Sequence, residues 1–141
     1  MDVRHATAAD AAALAHLMAE LGYPTSPEEM AARMEAVRGR ADYATFVAEE
    51  DGVVAGMVGV TVSPSLYRSD LLGAIVALVV SSEFRGRGIA ALLVDRGEQW
   101  LRHRGAKRAT VNPSTHRQDA HRLYARLGYE HTGLRFSKAL G

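Results

Sequence analysis

One stretch restricts the architecture more than any other. VALVVSSEFRGRGIAALLVDRGEQWL, from Val76 to Leu101, reads as an apolar strand, a tight loop carrying two arginines and two glycines, and a helix. The run leading into the loop, LGAIVALVVS, suits a strand buried on both faces. In the helix that follows, Ile89, Leu92, Leu93, Trp100 and Leu101 form one apolar stripe, and Gly97 lies on the same side. A glycine there costs about 1 kcal/mol in helix propensity, which suggests close packing against the sheet.

The remaining elements arrange themselves around this unit. Asp2 to Ala6 reads as a short first strand, and the Thr7/Asp10 pair resembles a capping box opening an Ala-rich helix that Gly22 stops. Ser26 as N-cap, Pro27 at the first helical position and Glu29 predict a second helix to about Arg38. Asp51-Gly52 between two β-rich runs predicts a hairpin. After Gly105 come a short strand, KRATV, and a helix, QDAHRLYARLGYE, with Ala120, Leu123 and Leu127 inward and Gly128 as its stop. GLRFSKAL is expected to close the chain as a strand. The order β-α-α-β-β-β-α-β-α-β is that of a mixed α/β domain, and 141 residues at 48% hydrophobic and 23% charged fit a single domain over residues 1–141.

The loop itself predicts an anion site. Gly86 and Gly88 allow the sharp turns that aim successive amides into one concavity at a helix N-terminus, and Arg85 and Arg87 add charge-assisted donors. A pyrophosphate is the natural guest. The same residues also fit a plain strand-to-helix turn with solvated arginines. A P-loop is excluded because no Gly-Lys-Ser/Thr follows at the required spacing. Gly86, Gly88 and Ala91 satisfy a dinucleotide fingerprint superficially, but the expected acidic residue about 20 positions on is missing, where the chain reads RATVNPS. A net charge of +1 gives no long-range field for nucleic acid or membrane, no run approaches a membrane span, and an absence of cysteine suits a cytoplasmic setting. His116 and His121, five apart, would point roughly 140° from each other on a helix, so no metal site is expected.

VVSSEFRGRGIAALLV resembles the acyl-CoA-binding motif of the GNAT (Gcn5-related) N-acetyltransferases, R/Q-x-x-G-x-G/A, at Arg85, Gly88 and Ala90. DAHRLYARLGYEHTG is similar to the family's C-terminal motif at Ala120, Leu123, Tyr124, Gly128 and Tyr129, and the likeness extends over the whole chain. It implies a single-domain GNAT fold: a mixed, mostly antiparallel sheet of about six to seven strands flanked by four helices, with a splayed central strand pair. Two departures stand out. Arg117 replaces an Asn common three residues before the Ala, and Val76 and Ala77 stand where many members carry a mid-strand acid.

The resemblance implies acetyl-CoA as acyl donor, with its pantetheine paired along the strand at Leu78, Val79 and Val80 and its pyrophosphate capped by Arg85, Gly86, Arg87, Gly88, Ile89 and Ala90. It implies direct attack of a primary amine on the thioester, with Tyr124 as general acid and the Val80 N–H as oxyanion donor. Glu49, Tyr67, Asp70 and His116 are open candidates for the base, with a water chain as an alternative, whereas Glu83, in the approach to the loop, reads as a solvated or capping residue. Tyr23, Tyr67 and Arg68 are candidates for the substrate pocket, and Arg68 or Arg135 would suit an anionic group on the amine. The expected partner is a small-molecule amine, with a protein amine as alternative and a homodimer possible. An acyl-CoA-binding sensor without catalysis is the competing reading.

Overall fold

Asp51 and Gly52 hold φ angles of 51° and 79°, the positive values a two-residue hairpin requires. They join β2 (Tyr43–Glu50) to β3 (Val53–Ser63) in antiparallel register. The computed structural model describes residues 1–111, 118–130 and 137–141. Within them, β1 (Asp2–His5) pairs antiparallel with β2, and β4 (Leu71–Val80) pairs antiparallel with β3. β5 (Ala106–Val111) lies parallel to β4, so the spatial order of the sheet follows the chain from β1 to β5.

Helices cover both faces. α1 (Ala11–Leu21) and α2 (Pro27–Val37) close over Leu14, Leu17, Met30, Val47, Met57 and Val79. α3 (Ile89–His103) packs on the other face, where Phe46, Val58, Val60, Leu93, Trp100 and Leu101 are buried. α4 (Gln118–Arg126) follows β5, and Leu127 and Tyr129 beyond it join the α3-side core. The predicted caps are present at α2, where the Ser26 hydroxyl accepts from the Glu29 N–H (3.0 Å) and the Glu29 carboxylate accepts from the Ser26 N–H (2.9 Å). At the chain start the Asp10 carboxylate accepts from the Thr7 N–H (2.7 Å), but this pair opens a single 3-10 turn that runs into α1 rather than α1 itself. Gly97 faces β3 so closely that a β-carbon would lie 2.9 Å from Val60 Cγ1, which accounts for a glycine inside a helix.

Three expectations need correction, and a fourth falls partly outside the described residues. The sheet has five strands among the described residues, not six to seven. Half of the expected closing strand, residues 133–136, lies outside the described residues, and Ser137 to Gly141 carry no strand pairing. Leu92, placed on the buried stripe by spacing, is 46% exposed, because the contact with the sheet is centred on Leu93, Gly97 and Trp100. β4 is not buried on both faces throughout: Val76 is 51% exposed. The cause is a β-bulge, since Gly59 opposes Ala77 while the next residue, Val60, opposes Ile75, leaving Val76 without a partner on β3. No helix among the described residues is long and apolar enough to cross a membrane.

Candidate active site

The bulge reverses the facing of β4. Before it, Leu71 and Ile75 meet the α3-side core; after it, Leu78 and Val80 meet that core while Ala77 and Val79 join the α1–α2 side. At the bulge lies the last pair of β4 with β5 among the described residues, Ile75 with Val111. Beyond that point β4 has β3 on one side and, among the described residues, no strand on the other. The orientation of the backbone there follows from two contacts. The Ser81 N–H donates to the Ala55 carbonyl (2.7 Å), and a β-carbon on Gly56 would lie 2.8 Å from the Val79 carbonyl oxygen. Val79 therefore turns its backbone groups toward β3, and by strand alternation Leu78 and Val80 turn theirs to the open side. Among the described residues that edge is unpaired, and it suits an extended, amide-bearing ligand.

The open edge leads into the loop. Ser81 is buried, and Ser82 to Phe84 form a 3-10 turn held by Glu20 of α1, whose carboxylate accepts from the Ser82 N–H (3.0 Å) and hydroxyl (3.3 Å). Gly86 and Gly88 take φ of 81° and 76°, values open to glycine at little cost. Nothing lies within 4 Å of where either β-carbon would be, so these glycines serve the backbone conformation rather than packing. The Leu92 N–H is the first in the helix to reach back, to the Gly88 carbonyl (3.2 Å), and no backbone carbonyl among the described residues accepts from the amides of Gly86 to Ala90. This is a cluster of unsatisfied amides at the positive end of a 15-residue helix. Arg87 is partly engaged, 3.5 Å from the Glu50 carboxylate and 5.1 Å from the Phe84 ring centroid. Arg85 is exposed and has no ion pair or hydrogen bond among the described residues. The donors present fit a diphosphate.

Tyr124 lies on α4, half-buried, with its ring edge-on to Tyr129 at 5.9 Å. Tyr129 in turn donates its hydroxyl to the Glu98 carboxylate of α3 (2.6 Å), which ties the end of α4 to α3. Burial raises the pKa of Tyr124 and keeps its proton in place at neutral pH. Tyr129 is raised as well, by burial first and then by its bond to Glu98.

The other candidates are scattered. Glu49 is bound by the Arg4 guanidinium (2.9 Å) and, with Glu83, lines an open hollow of about 410 Å³ between α1 and the β2–β3 hairpin. Asp70 is paired bidentately with Arg68 (2.8 and 3.1 Å), which holds its carboxyl below the usual range. Tyr67 is 97% exposed on the β3–β4 connection, and Tyr23 is 47% exposed just past α1. His116, Arg117 and Arg135 lie outside the described residues, as does the side chain of Ala120. Among the described residues no three His, Asp or Glu side chains gather as metal ligands would. From β2 the sequence singles out Glu49 but not Tyr43, whose hydroxyl reaches the bulge and which carries no charge or motif to mark it.

Comparison with known proteins gives a consistent picture. The profile of the Acetyltransferase (GNAT) family matches residues 11–129. An aminoalkylphosphonate N-acetyltransferase of Salmonella typhimurium is 35% identical over 94 residues, which cover 67% of this chain and 61% of that protein. Among solved structures, a transcriptional regulator from Bacillus halodurans C-125 superposes with a TM-score of 0.86 at 24% identity, covering 97% of this chain and 99% of the other. An aminoglycoside N-acetyltransferase crystallised in complex with CoA does so with a TM-score of 0.86 at 20% identity, covering 99% and 95%. At these identities the two structures speak for the fold alone.

Proposed function

Since the chain belongs to the GNAT acetyltransferase family, we propose that it transfers an acetyl group from acetyl-CoA directly to a primary amine of a small molecule. The observation that carries this reading is the continuity of two features: the open backbone edge at Leu78 and Val80, and the unsatisfied amides of Gly86 to Ala90 that follow it. The first suits the amides of a pantetheine arm and the second its diphosphate, with Arg85 available to add charge. A structural neighbour crystallised with CoA supports the choice of ligand. A relative acting on aminoalkylphosphonates supports a small amine carrying an anionic group.

Acetyl-CoA supplies an activated thioester carbonyl and a thiol leaving group. This chain's residues have three tasks. The Val80 N–H, on the open side of β4, is the donor for the carbonyl oxygen as negative charge develops there. The Tyr124 hydroxyl, kept protonated by burial, gives its proton to the departing sulfur as the C–S bond breaks. The attacking ammonium must lose one proton before its nitrogen forms the C–N bond, and the nitrogen loses a second afterwards, which through solvent restores the Tyr124 hydroxyl. Glu49 and Asp70 are engaged by Arg4 and Arg68, so we assign this step to solvent rather than to a carboxylate.

The test is release of CoA thiol over a panel of 2-aminoethylphosphonate, an aminoglycoside, spermidine and a lysine peptide, alongside calorimetric titration with acetyl-CoA. Amine-dependent release, strongest with the anionic amine, is expected. The absence of a mid-strand acid at Val76 and Ala77 favours one competing reading, an acyl-CoA sensor. Tight acetyl-CoA binding with no release for any amine would establish it in place of the transferase.

A further inference from the structure

Strands β2, β3 and β4 converge on one point of the α1–α2 face. A β-carbon on Gly59 would lie 3.5 Å from Val76 Cγ2, 3.6 Å from Ala77 Cβ and 3.6 Å from Tyr43 Oη. The missing side chain thus leaves a small hollow walled by two apolar groups and one hydroxyl. The bulge produces it: on an even strand Val76 and Ala77 would point to opposite faces, whereas here both approach Gly59. The hollow sits beside the last described pair of β4 with β5, Ile75 with Val111, at the start of the edge assigned above to the pantetheine arm.

Tyr43 is the polar group of this hollow. Its neighbours in β2, Ala44 and Phe46, enter the α3-side core, so its ring takes the other face. The ring is half-buried, and its hydroxyl has no hydrogen-bond partner among the described residues. The hydroxyl is not sealed from solvent, so a ligand entering from outside can reach it. Burial raises its pKa, so it is a neutral donor and acceptor at physiological pH.

We infer that the Tyr43 hydroxyl is the acceptor-side contact, taking a hydrogen bond from the amine nitrogen while the alkyl stem lies against Val76 and Ala77. This rests on the transferase reading, and it assigns specificity to a residue that neither the motifs nor the comparisons single out.

Two variants and one spectroscopic readout test it. Tyr43→Phe should raise the KM for 2-aminoethylphosphonate about tenfold, the loss expected for one hydrogen bond to a charged group, with the KM for acetyl-CoA unchanged. Gly59→Ala keeps ordinary van der Waals distances and should fold, yet it fills the hollow and should raise the amine KM likewise. In parallel, the Tyr43 ring resonance, identified by its disappearance in Tyr43→Phe, is followed while 2-aminoethylphosphonate, an aminoglycoside or spermidine is titrated into the CoA-loaded protein. A shift of that resonance supports the site even if no amine is turned over, in which case the transferase reading alone fails. The inference is overturned if none of the three amines moves the resonance, or if turnover proceeds with both variants within twofold of the unmodified KM.

Discussion

Arg4 holds the chain start to the sheet through two carboxylates. Its guanidinium meets Asp10 bidentately (2.9 Å each) and Glu49 at 2.9 Å, and Asp10 is almost wholly buried. The bond from Arg4 is the largest influence on Asp10 and lowers its pKa below the ordinary carboxylate value. A carboxylate depressed in the folded state contributes stability above its unfolded pKa, about 4, and that contribution is lost as pH falls through the folded value. Thermal melts should therefore show the melting temperature dropping below about pH 4. In Asp10→Asn the overall stability should fall by about 1–3 kcal/mol and the acid-side slope should flatten. Tyr124 belongs to the same scale. Tyr124→Phe should reduce turnover by one to several orders of magnitude while calorimetry finds acetyl-CoA affinity nearly unchanged, and retained turnover would remove it as the acid. Tyr124 was legible in the sequence only through the motif around it, since a half-buried tyrosine on a helix is otherwise an ordinary packing residue. Tyr43 was not legible at all, because its significance depends on residues 16 and 33 positions away, Gly59 and Val76, meeting it across two strand pairings.

At the level of elements, two glycines do different work. Gly88 stands at φ 76° as the N-cap of α3, a conformation that costs a residue with a β-carbon roughly 1–2 kcal/mol. Gly88→Ala should lose about that much stability and weaken acetyl-CoA binding, both measurable on one preparation by melting and calorimetry. Gly97 instead makes room for β3, and Gly97→Ala should cost about 1–3 kcal/mol through overpacking against Val60. Leu92→Ala, on the exposed side of the same helix, should stay within about 0.5 kcal/mol. Helix ends and the hairpin were readable because caps and turn residues act over a few positions of chain: Ser26, Pro27, Gly105 and Asp51-Gly52 all stand where predicted. The bulge in β4 was not readable. It arises from the mismatch between β3 and β4 and has no signature within the apolar run that contains it.

For the molecule as a whole, the sheet, its two helical layers and the loop are one folding unit, so a ligand held by β4 and α3 should stabilise all of it. Acetyl-CoA at about 100 times its dissociation constant should add about 2.7 kcal/mol, a rise in melting temperature of roughly 6–12 °C for a domain of this size. No rise at saturating ligand would mean that the loop amides do not form the site. The sequence by itself determined the family, the order of the elements, the hairpin and the glycine-arginine loop, because each is written in residues adjacent along the chain or in motifs of fixed spacing. Only the tertiary structure decided where β4 bulges, which backbone groups of β4 face away from β3, and that Tyr43, Gly59 and Val76 share one hollow. Those features depend on the register between strands distant in sequence, and register is set by how both faces of the sheet pack at once.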